Sequence, residues 1–261
     1  MSGRLKGTGV VLLALAACNC LFANVIGTPR TQFRRTYSLN SNGRVTIQNL
    51  YGDVRITAWD RDEVLVEAIK KSDDPRQLDE ARIVVNSSSD LVSIRTQYAG
   101  ADAEQPASVE YRITVPRGAN LENVKLVNGL LSISGLAGHV KATSVNGSIR
   151  AEKLEGQADL STINGRLDAD FDRISAANPI SLSSVNGQIR LSIPGGAGAD
   201  LYAHNLSGGI ASAFGRPLRA ASGHHLRARL HRGGAQIHVD NVNGGISIQA
   251  GSHHHPDRSW T

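Results

Sequence analysis

Cysteine is almost missing from this chain. The 261 residues hold 2, Cys18 and Cys20, both in the apolar N-terminal stretch. The body that follows therefore has no disulfide framework, no thiol nucleophile and no cysteine-ligated metal. Aromatic residues make up only 4% and methionine occurs once. A core must then be built from Val, Ile, Leu and Ala. The longest N-terminal apolar run, Val10 to Ala17, is too short to span a bilayer as a mature helix. There is no Gly-x-Ser-x-Gly elbow, no His-Glu-x-x-His and no phosphate loop. The charge excess is mild. The formal net charge is +5, and Arg4 and Lys6 supply two of those charges. That is not the footprint of a nucleic-acid binder. With 40% hydrophobic and 20% charged residues, the chain is not wholly disordered either.

The N-terminus has the layout of a secretion signal over residues 1–23. Arg4 and Lys6 precede the apolar run, and no Asp or Glu occurs before Asp53. Two processing routes are open. Leu15-Ala16-Ala17-Cys18 resembles a bacterial lipobox, which would make Cys18 an acylated N-terminus and the sole membrane attachment. Cleavage after Ala23 would instead release a soluble chain. Either route predicts an exported protein of the periplasm or cell envelope. Residues 24–35, polar and basic, are expected to be a tether.

What the chain has in quantity is a repeat. Val145-Asn146-Gly147-Ser148-Ile149 recurs around Asn128-Gly129, Asn164-Gly165, Asn186-Gly187 and Asn243-Gly244, with a degenerate copy at Ser207-Gly208. The first four asparagines are spaced by 18, 18 and 22 residues. A fixed period signals an arrayed fold. Each period holds two short strands. Val140, Ala142, Ile149 and Ala151 are placed inward, and His139, Lys141, Arg150 and Glu152 outward. The Val and Ile of the repeat unit are expected to fill the core, and its Asn to bond along the stack. Residues 171–179 and 213–225 are expected loops.

Before the array, alternation predicts strands at Arg44–Gln48, Asp53–Thr57, Glu63–Ala68, Arg82–Val85, Leu91–Arg95 and Val109–Val115. Asp74-Pro75 is a helix-start signal for a short helix over Gln77–Ala81. The domain layout is a single all-β domain over 36–250. Residues 36–120 form an N-terminal β region, residues 121–250 form the Asn-Gly array, and 251–261 is a disordered tail.

Two conformations suit Asn-Gly. It forms a two-residue hairpin turn, giving an antiparallel meander, or it turns the corner of a solenoid coil whose equivalent amides stack in register. Equal 18-residue steps favour the solenoid. In either case the glycine, Gly147 included, is expected at positive φ. The ordered set of Gly43-Arg44-Val45-Thr46-Ile47, Gly52-Asp53-Val54-Arg55-Ile56, Val115-Pro116-Arg117-Gly118-Ala119, the serial Val-Asn-Gly-x-Ile units and Gly233-Gly234-Ala235-Gln236-Ile237 resembles the bacterial DUF4097 family of adhesin-type domains. The resemblance spans roughly residues 36–249. It implies an exported, all-β, repetitive β-solenoid or β-helix-like stack at the cell envelope. The family offers no catalytic residues to carry over.

Candidate chemistry is sparse. The strongest candidate is a basic strand. His225, Arg227, Arg229 and His231 alternate opposite Leu226, Ala228 and Leu230, and Arg216, Arg219 and Arg232 lie close in sequence. Guanidinium groups suit bidentate contact with phosphate or carboxylate on envelope glycans or lipid headgroups. The alternative is a charged edge that discourages strand pairing. His253-His254-His255 and the alternating Asp168, Asp170 and Asp172 are read as a solvated tail and a solvated face rather than metal sites. A glycan-active enzyme would need carboxylates such as Asp159, Asp168 and Asp170 to converge in one groove. The expected role is non-enzymatic, structural, adhesive or surface-binding, without cofactor, metal or nucleic acid. A further alternative is an accessory protein acting through a protein partner.

Overall fold

The computed structural model describes residues 30–99, 106–214 and 223–251. Cys18, Arg216, Arg219 and His253-His254-His255 lie outside the described residues. The chain begins with β1 (Arg30–Ser38), β2 (Arg44–Tyr51), β3 (Val54–Trp59) and β4 (Glu63–Lys71). A one-turn helix α1 (Pro75–Glu80) follows, with the Asp74 carboxylate accepting from the Arg76 N–H at 2.9 Å. Then come β5 (Ala81–Ser87), β6 (Leu91–Tyr98) and β7 (Ser108–Pro116). The tether expected over 24–35 is corrected in part. From Arg30 onward the chain is strand, fully paired antiparallel to β4, and Phe33 and Tyr37 lean on the core. Its polar composition reflects an edge strand on which no residue is fully buried.

The array continues in pairs: β8 (Asn120–Asn128) with β9 (Leu131–Ser134), β10 (Val140–Asn146) with β11 (Ile149–Leu154), β12 (Ala158–Asn164) with β13 (Leu167–Phe171), and β14 (Ile180–Asn186) with β15 (Ile189–Pro194). The first strand of each pair joins one ten-stranded sheet and the second joins another. Along the array the neighbours are parallel: β10 lies between β8 and β12, and β11 between β9 and β13. A hairpin turn would make the two strands of a pair antiparallel partners. They lie instead in different sheets, so Asn-Gly is a solenoid corner. The N-terminal region belongs to the same stack. β2 and β3 form a coil around Tyr51-Gly52, with Tyr51 in register with Asn128.

The core lies between the sheets and is aliphatic. Val140, Ala142, Ile149, Ala151, Leu160, Leu167, Leu182 and Ile189 are all essentially inaccessible. Phe171, expected in a loop, closes β13 as one of the largest buried side chains.

The corner differs from expectation in two ways. Gly129 and Gly244 have the predicted positive φ, at 139° and 131°. Gly147 and Gly187 lie outside that region. Their requirement for glycine is steric: a Cβ on either would stand 1.8 Å from the carbonyl oxygen of the preceding corner glycine, Gly129 or Gly165. The glycines form a column in which backbone touches backbone. Second, the Val of the repeat is not core. Strict alternation from Val140 turns Ser144 inward and Val145 outward. Leu50, Val127, Val145, Ile163, Val185, Val242 and Leu206 make an apolar column on the outside of the stack, with Ile163 43% and Leu206 65% exposed. The inward residue beside it is mostly polar: Asn49, Ser144, Thr162, Ser184, Asn241 and Asn205. Several of these reach corner carbonyls. The Thr162 hydroxyl donates to Gly147 O at 2.9 Å, the Asn241 amide to Gly187 O at 3.0 Å and the Asn205 amide to Gly244 O at 2.7 Å. The corner asparagines bond along the stack as expected, with amide-to-amide distances of 2.9–3.1 Å from Asn128 through Asn146, Asn164 and Asn186 to Asn243.

The C-terminal order is not sequential. After β15 come β16 (Ala199–Ser207), β17 (Ile210–Ala213), β18 (His225–Leu230), β19 (Ala235–Asn243) and β20 (Ile246–Gly251). The last coil, β19–β20, is inserted between β14–β15 and β16–β17. β18 then covers the far side of β16 as an antiparallel edge. So β16 runs between the two arms, β18 and β19, of a clasp closed at residues 231–234. The clasp fits because glycines meet at its closed end: a Cβ on Gly198 would stand 2.2 Å from Gly233 O.

Candidate functional site

The basic strand becomes a site only through this insertion. β16 and β19 place their outward residues beside those of β18, in three rows across the sheet. The first row is His225, His204 and Asp240. The second is Arg227, Tyr202 and His238. The third is Arg229, Asp200 and Gln236. Leu226, Leu201, Ala203, Ile237 and Val239 alternate with them and anchor all three strands in the core.

Each row has its own chemistry. In the first, the imidazoles of His225 and His204 stack with centroids 4.5 Å apart, and His204 Nδ1 stands 4.0 Å from the Asp240 carboxylate. In the second, the Arg227 guanidinium lies 5.1 Å over the Tyr202 ring, which stacks on its other neighbour, His238, at 5.1 Å and 10°. A cation over an aromatic face is attracted by the ring quadrupole. This fixes the guanidinium while leaving donors for a ligand. In the third, Arg229 Nε donates to Asp200 Oδ1 at 2.8 Å. Asp200 also accepts from the Gly234 N–H and the Gln236 amide. That bond from Arg229 holds the Asp200 carboxyl below the usual carboxylate range, and Asp200 in turn raises Arg229. Arg229 is thus committed to an internal partner.

The predicted residues therefore divide. His225 and Arg227 join the surface. Arg229 braces it. His231 turns away at φ 52°, its Nε2 2.9 Å from Gly195 O, and serves the clasp. Arg232 is exposed beside it. Tyr202, His204, His238 and Asp240 were not singled out from sequence. They alternate as clearly as the basic strand does, but nothing in the repeat spacing places β16 between β18 and β19.

The carboxylates do not converge. Asp159 lies on β12, bridged to Lys141 at 3.2 Å, while Asp168 and Asp170 lie on β13 in the opposite sheet. The core separates them. Asp172 falls beyond the end of β13. Among the described residues no group of three or more His, Cys, Asp or Glu side chains is arranged to hold a metal ion, and no helix is long and apolar enough to cross a membrane.

The Toastrack DUF4097 family model matches residues 29–249. Among solved structures, a candidate cell-adhesion protein from Clostridium sporogenes is similar over 85% of this chain and 100% of its own, with a TM-score of 0.53 and 11% identity. A candidate adhesin from Bacteroides fragilis aligns over 84% of this chain and 97% of its own, with a TM-score of 0.40 and 9% identity. At 11% identity the likeness to the Clostridium sporogenes protein is one of fold. No curated protein matches the chain.

Proposed function

The chain belongs to the Toastrack DUF4097 family, and on that premise we propose that it is an exported, non-enzymatic envelope protein whose outer β18–β16–β19 face binds anionic groups. The ligand class is phosphate or carboxylate carried by envelope glycans or lipid headgroups. The observation that carries the reading is the second row, where Tyr202 holds Arg227 between an aromatic ring and solvent. Guanidinium is suited to such oxyanions because its donors form a planar fork. The stacked imidazoles beside it widen the donor surface. A role without chemistry suits a face on which the carboxylates are paired with cations or imidazole rather than with one another. Export, and an acyl anchor at Cys18, are part of the proposal.

The test is co-sedimentation of the purified Cys18→Ser protein, which carries no acyl group, with lipopolysaccharide and with phosphatidylglycerol vesicles, against phosphatidylcholine vesicles as the neutral control. Arg227→Ala and Tyr202→Ala are expected to lower retention by about tenfold each, and salt to weaken it. Equal retention on neutral and anionic vesicles, or none on any of the probes, defeats the reading. Mass spectrometry of the envelope-extracted protein tests the acyl group at Cys18.

A further inference from the structure

Asparagine is chemically labile, most of all when glycine follows it. This chain holds six such pairs: Asn42-Gly43 and the five of the ladder, at Asn128, Asn146, Asn164, Asn186 and Asn243. In each pair the glycine nitrogen, with no side chain beside it, can attack the asparagine Cγ. The Cγ–Nδ2 bond breaks, ammonia leaves with the proton from the glycine nitrogen, and a five-membered succinimide remains. Water then opens the ring at either carbonyl, to aspartate or to isoaspartate. Water is the only co-reactant.

The fold does not treat the six pairs alike. Access to solvent does not separate them, since Asn42 is exposed and so are Asn146, Asn164, Asn186 and Asn243. Bonding does. Each ladder asparagine is the last residue of its strand, β8, β10, β12, β14 or β19. An extended residue holds ψ well positive, and ring closure turns it to the opposite sign. The glycine nitrogens that would attack, at 129, 147, 165, 187 and 244, donate to carbonyls of the next coil at 2.9–3.3 Å. The side-chain amides that would leave, at Asn146, Asn164, Asn186 and Asn243, each donate to the asparagine Oδ1 of the neighbouring rung at 2.9–3.1 Å. Asn128 ends the run and is only an acceptor in it. Nucleophile and leaving group are both held, and freeing them means opening a corner of the stack.

Asn42 lies outside this arrangement. It sits in the turn between β1 and β2, where Gly43 N donates to Asn40 O at 2.8 Å. That bond closes one local turn rather than joining two coils. The Asn42 carbonyl accepts from the Asn120 side chain at 2.9 Å, but among the described residues no hydrogen bond holds the Asn42 side-chain amide. We propose that Asn42 is a site of spontaneous deamidation, and that the ladder shields the other five asparagines from the same reaction. Modification adds one negative charge to the β1–β2 turn and, as isoaspartate, one backbone atom. The turn is no part of the β18–β16–β19 face, so the proposal stands apart from anion binding.

The test follows each Asn-Gly pair separately. The purified protein is held in mildly alkaline buffer, folded in one series and unfolded in urea in another. Peptide mapping by mass spectrometry then gives the rate at each asparagine. In urea the six rates should be similar, because the ladder is gone. In the folded protein Asn42 is expected to stay within about tenfold of its urea rate. Asn146, Asn164, Asn186 and Asn243 should slow by more than about a hundredfold, since reaction there waits on local opening that breaks several hydrogen bonds. Asn128 should fall between. Asn42→Ser should remove the early acidic species from ion-exchange chromatography. The proposal is overturned if Asn42 slows on folding as much as the ladder does, if Asn146, Asn164, Asn186 and Asn243 react as fast as Asn42, or if the acidic species persists in Asn42→Ser.

Discussion

Two neighbouring columns at the corners of the stack reverse the usual partition. The inward column holds Asn49, Thr162, Asn241 and Asn205, all buried, and the outward column holds Leu50, Ile163, Val242 and Leu206, all exposed. Elsewhere in the coil the rule is kept, with Val140 and Ile149 inside and Lys141 and Arg150 outside. The difference lies in the backbone. In the straight part of a coil each carbonyl pairs with the next strand. At the corner the glycine N–H still pairs along the stack, as Gly147 N does with Asn164 O at 2.9 Å, but several glycine carbonyls accept from a side chain reaching outward from inside the coil. A buried acceptor left alone costs more than a buried hydroxyl or amide that satisfies it. Polarity at Asn49, Thr162, Asn205 and Asn241 thus follows from backbone accounting, whereas the Ser144 and Ser184 hydroxyls of the same column have no protein partner.

The comparison can be broken at several strengths. Gly147→Val strikes the glycine column, where a Cβ would stand 1.8 Å from Gly129 O. It should cost more than about 3 kcal/mol by urea denaturation, while Ser148→Thr next to it stays within about 0.5 kcal/mol. Equal midpoints for the two would remove the close approach as the reason for glycine. Next in size is Thr96→Val. The Thr96 hydroxyl stands 2.9 Å from Asn49 Oδ1 and 2.8 Å from the Tyr111 hydroxyl, in the buried polar knot at the N-terminal end of the inward column. Losing it should cost about 1–3 kcal/mol.

A matched pair sharpens the contrast. Thr162→Val removes the donor to Gly147 O and should cost ~1–2 kcal/mol, although it makes the interior more apolar. Ile163→Thr, one residue along in the half-exposed outward column, should cost less than ~1 kcal/mol. The opposite ranking would return the corner to ordinary hydrophobic bookkeeping. The smallest effect is alkaline. Burial raises the Tyr111 hydroxyl to about 12, and Tyr98 rises in the same direction for the same reason. The folded state holds these protons more tightly than the unfolded chain. Their contribution is complete below the unfolded tyrosine value of ~10 and is lost as pH climbs from there through about 12. Stability followed across that window should fall, and Tyr111→Phe should flatten the fall.

The repeat made the scaffold legible. Spacing of 18 residues gave the coil, parity gave Val140, Ala142, Ile149 and Ala151 as core, and Asp74-Pro75 marked the one helix of the described residues within a residue or two. At Val145 hydropathy and parity disagree, and parity wins. Counting by twos from Val140 already turns Val145 outward. At 147 glycine is required by a close approach between coils rather than by positive φ, and such an approach leaves no local signature in the sequence. The C-terminal insertion was illegible on different grounds. Every coil carries nearly the same edge chemistry, so sequence similarity does not order them, and the site that depends on that order was seen only as one basic strand. Arg229 illustrates the limit. Its alternation with Arg227 is plain, and its engagement by Asp200 is a matter of topology.

The clasp around β16 has a consequence for time rather than for shape. A solenoid built in sequence order could be completed one rung after another as the chain emerges. Here the rung that sits fifth along the asparagine ladder is synthesised after the coil that lies beyond it in the stack. Coil 199–213 exists before its neighbour does, and it finds its final place only when residues 235–251 arrive to fill the gap beside β14 and β15. Residues 235–251 are therefore the keystone of assembly, and a chain interrupted before residue 235 would lack the rung that joins its two parts.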